Sequence, residues 1–264
     1  MATGLMIVLL GEATKVSPYL LEKDKSYRVR AQLGVRSDTL DLTGTILERK
    51  PVQVTENQVR EAALSLQGSF ELAVPAYSAV KVNGEKLYEK ARRQEDFEPP
   101  RKNMNFYDVR VVAQGPDWIE ADLRCSKGSY IRSWVELLGQ NLGTGAAMSA
   151  LRRLSSEPFH LQQASTLEEL SQSFSAQGKI DRSAGFLSLP DALPHWKVAR
   201  VDGQDLALIR NGQISHNLKT ILISLFRPGV DEGVKILSKT GGELLALVGL
   251  EEGQGFVVRR VFRY

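Results

Sequence analysis

Between Arg124 and Arg153 five cations, Arg124, Lys127, Arg132, Arg152 and Arg153, stand against one carboxylate, Glu136. The whole chain carries a formal charge of only +3, so this cluster is local. Such a cluster suits a phosphate-rich partner, although an ordinary solvated basic face gives the same pattern. Other chemistry is thinly represented. The single cysteine, Cys125, excludes an internal disulfide and a cysteine metal cage. It falls in the alternation Ile119, Ala121, Leu123, Cys125, which makes it an inward-facing small hydrophobe rather than a nucleophile. His160, His195 and His216 are scattered without metal-ligand spacing. The stretch Leu142-Gly-Thr-Gly-Ala-Ala-Met148 lacks the third glycine and the preceding strand of a dinucleotide loop. Ser126-Lys-Gly-Ser129 has phosphate-loop letters in the wrong order, and no Gly-x-Ser-x-Gly elbow occurs. No cofactor is expected.

The elements that must position these residues can be read from periodicity. Tyr27, Val29, Ala31 and Leu33 alternate with Arg28, Arg30 and Gln32, predicting a half-buried strand with a cationic outer face. Thr55-Glu-Asn-Gln58 forms a capping box before Val59, Ala63 and Leu66, and Gly68 ends that helix. A second helix is expected from Lys86 to Arg93, stopped by Glu98-Pro-Pro100. Strands follow around 105–112 and 118–125. Ile131, Trp134, Val135, Leu138 and Leu142 keep helical spacing, and Gly143 closes that helix. A short helix is expected over Ala146–Leu154, and a second capping box at Ser165-Thr-Leu-Glu168. Residues 171–190 read as a linker. Beyond it, Thr220–Phe226, Val234–Ser238, Leu244–Leu250 and Phe256–Phe262 read as strands separated by glycine turns.

The chain is long enough, at 264 residues and 42% hydrophobic, for a large and a small domain. The run Leu5–Leu10 has no preceding Lys or Arg and is far shorter than the about 20 residues of a membrane span. It reads as a buried strand bounded by glycines.

Three stretches, "VPAYSAVKVNGEKLYEKAR" (Val74–Arg92), "CSKGSYIRS" (Cys125–Ser133) and "LGTGAAMSALRRL" (Leu142–Leu154), resemble the bacterial TruB-type tRNA pseudouridine-55 synthases in order and spacing. "GEATK" (Gly11–Lys15) and "KSYRVRAQLGVRSDTLDLTG" (Lys25–Gly44) extend the likeness, which is strong over about residues 1–165 and looser in the tail. The family's nucleophile is an aspartate in a motif close to Gly-[Thr/Ser/Ala]-Leu-Asp-Pro-x-Ala-Thr-Gly. Ala2-Thr3-Gly4 matches its end, with Met1 at the x, so the resemblance implies an aspartate two positions ahead of Met1 and an inactive chain as written.

The resemblance further implies roles for residues that are present. Tyr27 matches an active-site tyrosine that stacks on the flipped base and takes part in removing the C5 proton; spacing alone also allows a core aromatic at a strand end. Arg132 matches the arginine that holds the catalytic carboxylate. Asp41 is a second partner for Arg132, or a turn cap before Gly44. Tyr130 and Leu151 match apolar pocket positions, and Lys81, Lys127, Arg152 and Arg153 are candidate phosphate contacts.

The expected fold is α+β: a mixed, largely antiparallel sheet with flanking helices over residues 1–180, then a small β-rich, PUA-like RNA-binding domain over 187–264. The expected function is isomerisation of uridine 55 in the T-arm loop by a cytoplasmic monomer whose partner is tRNA, with no metal and no membrane. A non-catalytic tRNA-binding or tRNA-folding protein, and a synthase acting on another RNA, are the rivals.

Overall fold

A computed structural model of the protein describes residues 2–177 and 185–264. The chain divides into two compact units, Met1–Met6 with Leu21–Gln162, and Ile7–Leu20 with Gln163–Tyr264.

The first unit is built on a sheet of β1 (Ala2–Gly4), β2 (Lys25–Leu33), β5 (Gly68–Ala73), β8 (Arg101–Gly115), β9 (Trp118–Cys125), β10 (Ala146–Ser156) and β11 (Phe159–His160). Two small hairpins accompany it, β3 (Val35–Ser37) with β4 (Ile46–Arg49), and β6 (Lys81–Val82) with β7 (Glu85–Lys86). The sheet order is β1-β10-β2-β9-β8-β5, with β11 paired to β10; β1 runs parallel to β10 and the other pairs are antiparallel. The expected mixed, largely antiparallel sheet is therefore present. One face carries the core. Val29, Ala31 and Leu33 of β2 join Ile119, Ala121 and Leu123 of β9, because alternate residues of a strand share a face.

Helices α1 (Glu56–Ser65), α2 (Leu87–Arg92) and α3 (Ile131–Asn141) belong to this unit. The capping box of α1 forms as read: Thr55 N–H donates to Gln58 Oε1 (2.8 Å) and Gln58 N–H to Thr55 Oγ1 (3.3 Å). On α3, Ile131, Trp134, Val135 and Leu138 are buried, as their spacing requires. Trp134 is wholly buried, and its indole N–H donates to Leu66 O at 3.2 Å, so the polar edge of the ring is not left unpaired.

The second unit holds α4 (Leu167–Gln177), α5 (Gly203–Arg210), α6 (His216–Leu225) and the sheet β12 (Lys197–Val201), β13 (Val234–Ser238), β14 (Leu244–Glu251) and β15 (Gly255–Val261) in that order. Ala199, Ile209, Leu218, Leu222, Ile236 and Val248 form part of its core. The C-terminal part is β-rich, as expected.

Several local expectations are corrected. Ala146–Leu154 is not a helix: it lies within β10, paired with β2 along its length, and this pairing overrides the helical preference of its alanines and leucines. Thr220–Phe226 falls mostly in helix α6, capped by Ser215, whose Oγ accepts the Leu218 N–H at 2.9 Å. Leu5–Leu10 is not a strand. Pairing stops after Gly4, the last hydrogen bond being Leu5 N–H to Arg153 O at 2.9 Å, and Met6, Val8 and Leu10 are 75%, 69% and 65% exposed. The second capping box sits one residue later than read, with Thr166 N–H on Glu169 Oε2 and Glu169 N–H on Thr166 Oγ1. The expected linker 171–190 begins inside α4 and ends within a 3-10 turn at Leu189–Ala192; its residues 178–184 lie outside the described residues.

Candidate active site

The centre of the site is Arg132, the second residue of α3. Its Nη1 donates to Thr39 O (3.0 Å) and its Nη2 to Tyr77 O (2.9 Å), so the guanidinium spans two loops that precede the helix by many residues. Nη1 also lies 3.6 Å from Asp41 Oδ2, beyond a good hydrogen bond. A guanidinium carries five N–H donors, and those not spent on the two carbonyls are available to another acceptor.

Asp41 sits in the tight turn from Ser37 to Gly44. Its Oδ1 accepts from Thr43 Oγ1 (2.5 Å), Thr39 Oγ1 (2.9 Å) and Thr43 N–H (3.0 Å). Burial pushes the carboxyl up, but the hydroxyls of Thr43 and Thr39, the Thr43 amide and the Arg132 charge outweigh it, and the carboxyl is held below its usual range. Gly44 is closely packed: a Cβ there would collide with Asp38 Oδ1 and Thr39 Oγ1 unless those side chains moved. The turn is tied to the sheet by Leu42 N–H to Met148 O (2.9 Å) and Met148 N–H to Leu40 O (3.0 Å).

Tyr27 on β2 lies opposite Arg153 of β10 and Leu123 of β9, and Val29 lies opposite Leu151. Tyr27, Tyr130 and Leu151 are half-buried and pack against the same hydrophobic cluster. Burial pushes the Tyr27 phenol above its ordinary value, Cys125 adds to the shift, and Arg153 opposes it. Cys125 itself is buried and its thiol is pushed up to about 12, chiefly by burial, so it stays protonated.

The four candidate phosphate contacts are not one patch. Arg152 and Arg153 are successive on β10 and so project to opposite faces. Arg152 is exposed, beside Arg28 on the face away from Tyr27. Arg153 is half-buried; its Nε donates to Leu5 O at 2.6 Å. Lys81 is exposed on the β6–β7 hairpin, whose Asn83 and Gly84 both have positive φ (54° and 85°), as a two-residue hairpin turn demands. Lys127 is exposed and paired with Glu22 at 2.7 Å.

Three contributors escape a reading by residue type. Thr39 and Thr43 flank Asp41 in "RSDTLDLTG", and hydroxyl residues two positions either side of an aspartate before glycine are a usable turn signal. Tyr77 enters through its backbone carbonyl, which leaves no mark in the sequence. Two clefts, about 310 Å³ near Glu136 and Arg36 and about 490 Å³ near Arg49 and Asp117, are lined by neither Tyr27 nor Arg132. Among the described residues no group of three or more His, Cys, Asp or Glu side chains could hold a metal ion. No helix among them is long and apolar enough to cross a membrane.

Comparison with known proteins gives concordant matches. Residues 1–131 match the TruB family pseudouridylate synthase N-terminal domain, and residues 132–192 the tRNA pseudouridylate synthase B C-terminal domain. The chain is 52% identical over 265 residues to the tRNA pseudouridine synthase B of Bdellovibrio bacteriovorus, covering all of this chain and 85% of that protein. It is 38% identical to the enzyme of the same name from Stutzerimonas stutzeri over 213 residues, 81% of this chain and 70% of that one. Among solved structures, a chain of a Cbf5-Nop10-Gar1 complex shares the fold with a TM-score of 0.67 at 22% identity, covering 99% of this chain and 72% of that one.

Proposed function

The chain belongs to the TruB family of tRNA pseudouridine synthases, and from that premise we propose that it isomerises uridine 55 in the T-arm loop of tRNA to pseudouridine. The observation that carries the reading is Arg132: a guanidinium suspended between Thr39 O and Tyr77 O, with donors to spare, beside a carboxylate that does not close on it.

In this reading the uridine leaves the loop stack at a cost of a few kcal/mol, offset by contacts in the pocket. Tyr27 stacks on it, and Tyr130 and Leu151 supply apolar walls. The C1′–N1 bond breaks, the base turns, C1′ joins C5, and the C5 proton leaves as N1 gains one. The change is redox-neutral. Arg132 holds the nucleophilic carboxylate in its planar fork and keeps it ionised, Asp41 supplies a compensating charge beside Arg132, and the Tyr27 hydroxyl takes part in moving the C5 proton. Lys81, Lys127, Arg152 and Arg153 meet phosphates.

The reading places the nucleophilic aspartate two positions ahead of Met1. It is supported by the matching Ala2-Thr3-Gly4, which forms β1 against Leu151, Arg152 and Arg153, next to the Tyr27 row. The same proposal includes a monomer acting in the cytoplasm, with a catalytic domain over residues 1–180 and a PUA-like RNA-binding domain over 187–264.

The test is pseudouridine formation in a T-arm stem-loop by the 264-residue chain and by a version extended upstream through a Leu-Asp-Pro motif. Turnover by the extended protein alone is expected. Equal turnover by the shorter chain would remove the upstream nucleophile from the reading. RNA binding without turnover by either would leave a tRNA-binding protein.

A further inference from the structure

The two oxygens of Asp41 are treated unequally. Oδ1 takes all three short hydrogen bonds, from Thr43 Oγ1, Thr39 Oγ1 and Thr43 N–H, while Oδ2 is left facing Arg132 at 3.6 Å. An aspartate this close to an arginine ordinarily turns to present both oxygens to the fork, in two parallel charge-assisted bonds. Here that turn would sacrifice three donors already in place. Arg132 in turn is held by backbone carbonyls, not by the carboxylate. The arrangement gives the guanidinium a nearby compensating charge without using up its donors.

We infer that Thr43, assisted by Thr39, is a positioning residue that withholds Asp41 from Arg132, so that the arginine's free donors remain available to the reacting carboxylate. The inference rests on the synthase reading above. Without the Thr43 hydroxyl, Asp41 swings onto Arg132 and competes with the nucleophile for the same fork. The Thr43 amide and the Thr39 hydroxyl assist at 3.0 and 2.9 Å, and the Thr43 hydroxyl, the shortest of the three at 2.5 Å, is the decisive restraint.

The test is Thr43→Val, which keeps the shape and the amide but removes the hydroxyl. In the upstream-extended protein, kcat should fall by about ten- to hundredfold, the range for a lost hydrogen bond to a charged group, with KM for the RNA unchanged. Thr43→Ser should restore it. In an Asp41→Asn background, where no carboxylate can capture the arginine, adding Thr43→Val should change nothing further. An equal loss in both backgrounds, or no loss in either, would overturn the inference. A second readout needs no turnover. In the 264-residue chain labelled with ¹⁵N at arginine, Thr43→Val should slow the exchange of Arg132 guanidinium protons with water, because Asp41 now binds them. Exchange as fast as in the parent would overturn the capture. If the parent binds RNA but makes no pseudouridine, the synthase reading fails and the proton exchange alone decides whether Thr43 restrains Asp41.

Discussion

Replacing Arg132 with lysine keeps a positive charge on α3 and removes the fork. In the parent, two different nitrogens meet Thr39 O and Tyr77 O at 3.0 and 2.9 Å. A single ammonium has no planar fork to match both, so at least one charge-assisted bond is weakened or lost. Such bonds contribute about 1.5–3 kcal/mol each. The same geometry sets how a carboxylate is received, so in the upstream-extended protein turnover at saturating RNA should fall by about one to two orders of magnitude. The assay is release of tritium from C5-labelled uridine in a T-arm stem-loop, followed in a single turnover. RNA affinity across a salt series should keep its slope, because the charge is retained and the side chain is committed to protein carbonyls. A shallower salt slope with turnover intact would make Arg132 a phosphate contact and refute the site.

Four further outcomes are expected. Tyr27→Phe in the extended protein should slow turnover strongly while leaving RNA affinity nearly unchanged, whereas Tyr27→Ala should lose both; equal turnover for Tyr27→Phe and the parent would reduce the ring to a stacking platform. The depressed Asp41 carboxyl stays ionised across neutral pH, and its stabilising contribution is lost as pH falls below the ordinary aspartate range and through the lowered folded value; urea midpoints of the parent and Asp41→Asn should therefore differ at pH 7 and converge in acid. Arg152→Ala should reduce the RNA-binding salt slope by about one counterion and spare saturated turnover; Arg153→Ala should in addition lower thermal stability, because Arg153 Nε anchors Leu5 O. Gly44→Ala should cost about 1–3 kcal/mol in urea unfolding through its collision with Asp38 and Thr39; an unchanged midpoint would contradict the packing of that turn.

Much of the framework was legible because burial imposes a period. The alternation from Tyr27 to Leu33 gave β2 its inward face, and the spacing from Ile131 to Leu142 gave α3. Runs decided by distant partners were not legible. Ala146–Leu154 has the composition of a helix and becomes a strand only because β2 lies beside it. The apolar run at Leu5–Leu10 looked like a strand, but no neighbouring strand extends the ladder past Gly4. At the site, Arg132 and Asp41 were singled out by resemblance and do lie together, at 3.6 Å. The stronger holds on Arg132 are carbonyls of Thr39 and Tyr77, which any residue type would offer.

The sheet order also constrains how the protein emerges from the ribosome. Strand β2 lies between β9 and β10, whose residues begin at Trp118 and Ala146, so more than a hundred residues separate Leu33 from its partner Ala146. At about 5–20 residues per second, a nascent chain holds β2 with at least one open edge for roughly 6–25 s. Until β10 arrives, the β2 edge that it will cover presents unpaired backbone to any other strand. The outward arginines Arg28 and Arg30 place like charges along that exposed strand during the interval, and so discourage two growing chains from pairing with each other before either has closed its own sheet.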